Sequence, residues 1–323
     1  MKHFLAIADL SPAEFNHILS VAKQLKAEWR KSGNRPILKH KTLGMVFQKP
    51  SLRTRVSFDM AMLHLGGQAL YLSPNEIGLG QRESIADVAR VLARFVDGIM
   101  ARVFAHAHVT ELAQYSRVPV INALSDYEHP CQAMADVLTI IEHCGKPKGL
   151  QVVFLGDGNN VARSLMFACA LGGAHFVCAS PQGYTLDDAS VAHARACAEK
   201  SGGSVELVAD PRAAARDADV LYTDAWASMG QESEAAERAK IFPPYQVNAA
   251  LVALAKPKSI VLHCLPAHRG AEITDEVMDG PHSVVFDQAE NRMHAQKAIV
   301  AILLTSKKAK VKSNASNVTR MVF

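Results

Sequence analysis

Cysteine is scarce in this 323-residue chain and never paired in spacing. The six cysteines, at 131, 144, 169, 178, 197 and 264, include no C-x-x-C unit. That argues against a disulfide framework or a structural zinc site, and for a reducing compartment. Aromatic residues make up 6% of the chain, and none is interleaved with the basic run Lys307, Lys308, Lys310 and Lys312. Such a tail reads as a solvated end and not as a nucleic-acid surface, for which a basic face is also needed. The net charge of +4 is modest. No apolar run approaches the length of a membrane span, so no membrane partner is expected. The N-terminus meets Asp9 too early for a signal peptide, and a cytoplasmic location is expected.

What the chain has is a globular composition, 49% hydrophobic and 20% charged, at a length that suits two domains. Strand-like and helix-like segments alternate. Leu43–Phe47, Gly98–Val103 and Val118–Ala123 read as strands before a Gly145-Lys146-Pro147-Lys148-Gly149 hinge. Val152–Leu155, Ala174–Ala179, Val220–Tyr222, Ile260–His263 and Ser283–Phe286 follow it. This alternation predicts an α/β fold, two parallel-sheet αβα domains with the active site in the cleft between them. The expected division is 1–146 and 147–289, with a last helix at about 290–304 crossing back onto the first domain. Residues 305–323 are expected to form a disordered basic tail.

Several segments carry chemistry. Ser51-Leu52-Arg53-Thr54-Arg55 follows an apolar strand and opens a helix. Free N–H groups at a helix start, two hydroxyls and two guanidinium groups make a phosphate cradle, although an N-cap serine with surface arginines is the plain alternative. Gly156-Asp157-Gly158-Asn159-Asn160-Val161 imitates a dinucleotide fingerprint. Val161 holds the third glycine position, however, and the next strand ends in Ala179-Ser180 without an acid for a ribose, so no nicotinamide or flavin cofactor is expected. Asn160 reads either as a ligand-facing residue or as a turn asparagine. Polar loops after later strands, at Asp224–Glu232 and His263–Gly270, lie where open α/β sheets bind ligands. His263, Cys264 and His268 superficially mimic a zinc cluster, but their spacing is not a standard one, and no metal is expected.

Taken in order, Ser51–Arg55, His129-Pro130-Cys131-Gln132, Asp224 with Ser228-Met229-Gly230, and His263-Cys264-Leu265-Pro266 resemble the aspartate/ornithine transcarbamylase family, and its ornithine branch in particular. The resemblance runs over about residues 1 to 304. It implies carbamoyl phosphate and L-ornithine as substrates, L-citrulline and phosphate as products, and a homotrimer. By the same resemblance Ser51, Leu52, Arg53, Thr54, Arg102, His129, Gln132, Cys264, Leu265 and Arg292 bind carbamoyl phosphate. Asn160, Asp224, Ser228 and Met229 grip ornithine, while Arg102, His129, Cys264 and Asp224 act in catalysis. Gln48 and Gly78 depart from residues frequent in relatives, the latter in a loop that in family oligomers approaches a neighbouring subunit's phosphate site. Rival readings are a transcarbamylase for putrescine or N-acetylornithine, an NAD-dependent oxidoreductase, and a non-catalytic binding subunit.

Overall fold

A computed structural model of the chain describes residues 1–227 and 232–305. Its strands form two sheets, parallel throughout. The first has β1 (Thr42–Phe47), β2 (Gln68–Leu72), β3 (Gly98–Arg102) and β4 (Val120–Leu124) in the order β2-β1-β3-β4. The second has β5 (Gln151–Leu155), β6 (His175–Ala179), β7 (Ser204–Val208), β8 (Val220–Thr223) and β9 (Ile260–His263) in the order β7-β6-β5-β8-β9. The α/β expectation therefore holds. The central strands are buried on both faces, β3 at every position, which is why they read as continuous apolar runs. Edge strands β2 and β7 are half solvated and escaped detection for the same reason.

In each sheet the winding direction reverses once, between β1 and β3 and again between β5 and β8. Loops leaving the carboxyl ends of the flanking strands diverge there and open a crevice. The loops after β1, β3 and β4 face those after β5, β8 and β9 across one cleft.

Helix Pro130–Cys144 is buried at every position from Pro130 to Ile140, as befits a helix packed on all sides. An apolar cluster runs past it through both halves, from Phe15 and Phe58 by way of Met134 and Leu138 to Phe154 and Phe176. The last helix spans Val285–Thr305 and packs on helices Pro12–Ser32, Leu52–His64 and Pro130–Cys144. It thus carries Arg292 back to the first half. The strand expected at Ser283–Phe286 is not formed. Ser283 makes one isolated bridge to Val261 and the helix starts at Val285, a short apolar run being ambiguous between the two structures. Residues 306–323 of the expected basic tail lie outside the described residues.

Gly158 has a packing reason of its own. A methyl group there would stand 2.5 Å from the Thr185 carbonyl carbon and from the Leu186 nitrogen, both backbone atoms that cannot swing aside. The glycine lets two loops pack closely. Gly158→Ala is expected to cost about 1–3 kcal/mol through overpacking. A denaturant midpoint equal to that of the parent protein would show that the loop yields freely.

Candidate active site

The cleft has a volume of about 750 Å³ and draws its lining from both halves. On the first wall, Ser51 caps helix Leu52–His64 in extended conformation, its hydroxyl accepting the Thr54 N–H at 3.4 Å and donating to Thr54 Oγ1 at 3.1 Å. The capping places Ser51, Arg53 and Thr54 on the cleft. The Leu52 side chain is 75% exposed and lines no part of it, leaving only the backbone N–H at the first helical position to act. Arg55 also turns away, over the Tyr71 ring at 4.1 Å and toward Asp59.

Arg102 ends β3 and Arg292 comes from the last helix, both nearly buried. Arg292 donates to Gln132 Oε1 at 2.9 Å and to Thr54 Oγ1 at 3.1 Å. Burial, then Arg292 and Arg53, lowers Arg102 to about 9. Crowded cations of this kind favour an anion among them. Burial and the same three arginines hold His129 well below its ordinary value, so its imidazole is neutral, with one donating and one accepting nitrogen. Gln132 lies behind Arg292 and does not line the cleft. Its amide oxygen faces Arg292 and its NH2 faces Asp136.

On the second wall, Asp224 follows β8 and Cys264 follows β9. The Cys264 thiol donates to Asp224 Oδ1 at 3.0 Å, and the Asn159 amide donates to Asp224 Oδ2 at 3.0 Å. Burial, with Asp224 beside it, pushes the Cys264 thiol well above its ordinary value, so it stays protonated. Asn160 lines the cleft but donates to the Ser125 carbonyl at 2.6 Å. The Leu265 N–H is taken by His263 Nδ1 at 2.9 Å, which leaves the Cys264 and Leu265 carbonyls as the groups this turn can offer. Ser228 and Met229 lie outside the described residues.

Some residues at the cleft or behind it were given no role by the sequence reading. Asn159 also caps helix Asn160–Gly172, accepting from Val161 and Ala162 N–H groups, and its place directly before Asn160 was the available signal. Arg238 pairs with Asp157 at 2.9 Å and donates to the Trp226 carbonyl, tying Asp157 to Trp226. Nothing in its sequence neighbourhood pointed to that role. Gln48 joins three segments: it donates to the Leu79 carbonyl and accepts from the Phe104 N–H and His108.

Among the described residues, Asp224, His263 and Cys264 gather possible metal-ligand atoms within 4.8 Å of one another. His263 is ill suited to join them, since Nδ1 accepts from Leu265 and Nε2 lies 3.1 Å from Glu272. His268, the third member of the zinc-like trio read from sequence, is not in this group.

The fold and site thus define a protein of two doubly wound parallel halves, with an arginine-rich anion pocket facing a carboxylate across their cleft. Residues 2–142 match the aspartate/ornithine carbamoyltransferase carbamoyl-P binding domain, and residues 148–303 match the Asp/Orn binding domain of the same enzymes. The chain belongs to the aspartate/ornithine carbamoyltransferase family. It is 57% identical over 304 residues to the ornithine carbamoyltransferase of Pyrococcus abyssi, covering 94% of this chain and 96% of that one. The anabolic ornithine carbamoyltransferase of Pyrococcus furiosus is 56% identical over the same shares. The solved structure of ornithine carbamoyltransferase from Pyrococcus furiosus superposes with a TM-score of 0.92 at 55% identity, over 94% of this chain and 97% of that one.

His129 is held in place through its own backbone. Its N–H donates to Ser164 Oγ at 2.8 Å, and Ser164 donates to the buried carboxylate of Glu128 at 3.0 Å. Glu128 also accepts the Ile7 and Ala8 N–H groups, so it joins the N-terminus to both halves. Burial lifts Glu128 to about 7, against the pull of those backbone donors. A folded value above the unfolded one means stability that is fully present below the unfolded value and lost as pH rises to about 7. Relative to Glu128→Gln, the parent protein should therefore lose up to ~3 kcal/mol between about pH 5 and 8. Parallel urea titrations of the two proteins across that range test this, and a pH-independent difference would refute it.

Proposed function

We propose that this protein transfers the carbamoyl group of carbamoyl phosphate to the side-chain amine of L-ornithine, giving L-citrulline and phosphate. The observation that carries the reading is the pairing of two walls. Three guanidinium groups, those of Arg53, Arg102 and Arg292, stand with Ser51 and Thr54 opposite a carboxylate held by Cys264 and Asn159. A phosphate dianion relieves the repulsion among the arginines through charge-assisted bonds. An α-ammonium group suits the free lone pairs of Asp224, with Asn160, Ser228 and Met229 completing the grip.

The carbamoyl carbon becomes tetrahedral as the neutral amine adds. Arg102, His129 and Thr54 donate to the oxygen that gains charge there, and preorganised donors of this kind often supply the largest catalytic term. The Cys264 and Leu265 carbonyls accept from the carbamoyl NH2. Gln132 acts from behind, through Arg292. Cys264 is a donor to Asp224 and not a base, since its thiol stays protonated. The proton released by the amine passes to the departing phosphate, which gains basicity as the carbon–oxygen bond breaks. An ornithine side chain has an unperturbed value near ~10, so the reactive neutral form is scarce at neutral pH and its desolvation in the cleft favours it. The chemistry asks for no metal and no cofactor.

In this reading residues 1–146 with the last helix form the carbamoyl phosphate domain, 147–289 form the ornithine domain, and the enzyme works in the cytoplasm in arginine biosynthesis, or in reverse in arginine degradation. No helix among the described residues is long and apolar enough to cross a membrane. Purified protein given carbamoyl phosphate should form citrulline with ornithine, and little product with putrescine, N-acetylornithine or aspartate in parallel colorimetric assays. Turnover with another amine and none with ornithine would sink the proposal. A homotrimer goes with it. Light scattering should give about three times the chain mass, and a monomer with full activity would contradict that assembly.

A further inference from the structure

Asp136 is a fully buried carboxylate that no step of the proposed reaction uses. It lies one turn beyond Gln132 on helix Pro130–Cys144. Its Oδ1 accepts from two side-chain amides, Gln132 Nε2 at 2.8 Å and Gln288 Nε2 at 2.7 Å. An amide has one donating end and one accepting end, so committing both NH2 groups to Asp136 turns both carbonyl oxygens outward. Gln132 Oε1 then accepts from Arg292 at 2.9 Å, and Arg292 goes on to Thr54. Gln288 Oε1 accepts the backbone N–H of His263 at 2.9 Å, one residue before Cys264.

We infer that Asp136 is a positioning residue whose single acceptor oxygen sets the direction of two amides, and through them aims Arg292 on one wall and the His263–Leu265 turn on the other. Flipping either glutamine would set an NH2 group against a guanidinium or a backbone N–H, donor against donor, in the buried interior. All of these side chains are at most 4% exposed. The two branches reach different halves of the molecule, so one carboxylate keeps the two walls in register. Burial lifts the Asp136 carboxyl to about 7, against the donors that hold it. The acceptor role survives protonation, because a carboxylic acid retains its carbonyl oxygen.

The volume of Asp136 and its acceptor can be separated by substitution, since Asn and Leu have nearly its shape and only Asn keeps an acceptor. Asp136→Asn should bind inorganic phosphate, measured by calorimetry, within about threefold of the parent, while Asp136→Leu should bind it about ten- to hundredfold more weakly. Gln288→Leu should leave phosphate affinity unchanged and lower kcat for citrulline formation about tenfold, with KM for carbamoyl phosphate little altered. In the double variant Asp136→Leu/Gln288→Leu, kcat should fall no further than in Asp136→Leu alone, because the two act in one chain. Melting curves accompany each variant. A folded Asp136→Leu with parental phosphate affinity, or fully additive losses in kcat, would overturn the inference. Should Asp136→Leu fail to fold, a tenfold loss of phosphate affinity in Asp136→Asn would overturn it as well. The kinetic readout rests on the carbamoyl-transfer reading, whereas phosphate binding does not. Phosphate affinities in the expected order with no citrulline from the parent protein would refute the function and leave the role of Asp136 standing.

Discussion

Arg53, Arg102 and Arg292 come from three separate elements, yet Arg53 and Arg292 stand close enough to Arg102 to lower its proton affinity. Holding like charges together in a partly desolvated cleft is unfavourable, and much of the surrounding architecture offsets that cost. Arg292 is met by neutral oxygens, those of Gln132 and Thr54, which fix its plane without cancelling its charge. A carboxylate in direct contact would quench the field that an anionic substrate needs. Asp136, a buried carboxylate, is set one residue back and reaches Arg292 through the Gln132 amide. The cleft is therefore cationic in advance of any ligand, and the protein bears the reorganisation before binding instead of during it.

The second wall solves the opposite problem. In the proposed reading Asp224 accepts from a cation while it sits beside a thiol. Cys264 and Asn159 each donate to one of its oxygens, which orients the carboxylate and leaves further lone pairs facing the cleft. The same hydrogen bond keeps the Cys264 proton in place. The cysteine expected from sequence to act in catalysis is, in this environment, a hydrogen-bond donor. That difference arises from burial and from one adjacent carboxylate.

How much of this was legible in sequence follows from the range of each interaction. The phosphate turn could be read because its parts are local: a strand, a cap and a helix start within a dozen residues. The central strands announced themselves as apolar runs, and β2 and β7 stayed silent because half of each faces water. Side-chain direction was harder. Leu52 and Arg55 share a pentapeptide with Arg53 but leave the cleft, because successive residues of a helix point about 100° apart. Gln132 is expected from the resemblance to bind carbamoyl phosphate; in the structure its amide is committed to Arg292 and Asp136, partners that no local pattern announces. Asn159, Arg238 and Asp136 act through partners 65, 81 and 152 positions away, at Asp224, Asp157 and Gln288, and no local pattern encodes such pairs.

These long-range pairs also bear on how the two walls work together. Helix Pro130–Cys144 presents His129 at its start and Asp136 in its middle, and the last helix presents Gln288 and Arg292 one turn apart. Gln288 reaches β9 of the second sheet through the His263 N–H, while Arg292 reaches the phosphate turn through Thr54. Glu128 and Ser164 make a further tie between the halves, directly behind His129. A displacement of one half relative to the other would strain buried hydrogen bonds on both sides of the cleft at once. The groups directly behind the cleft are thus tied to both halves, whereas Gln48 and Lys49 after β1 and Asp224 and Ala225 after β8 are partly exposed at its rim.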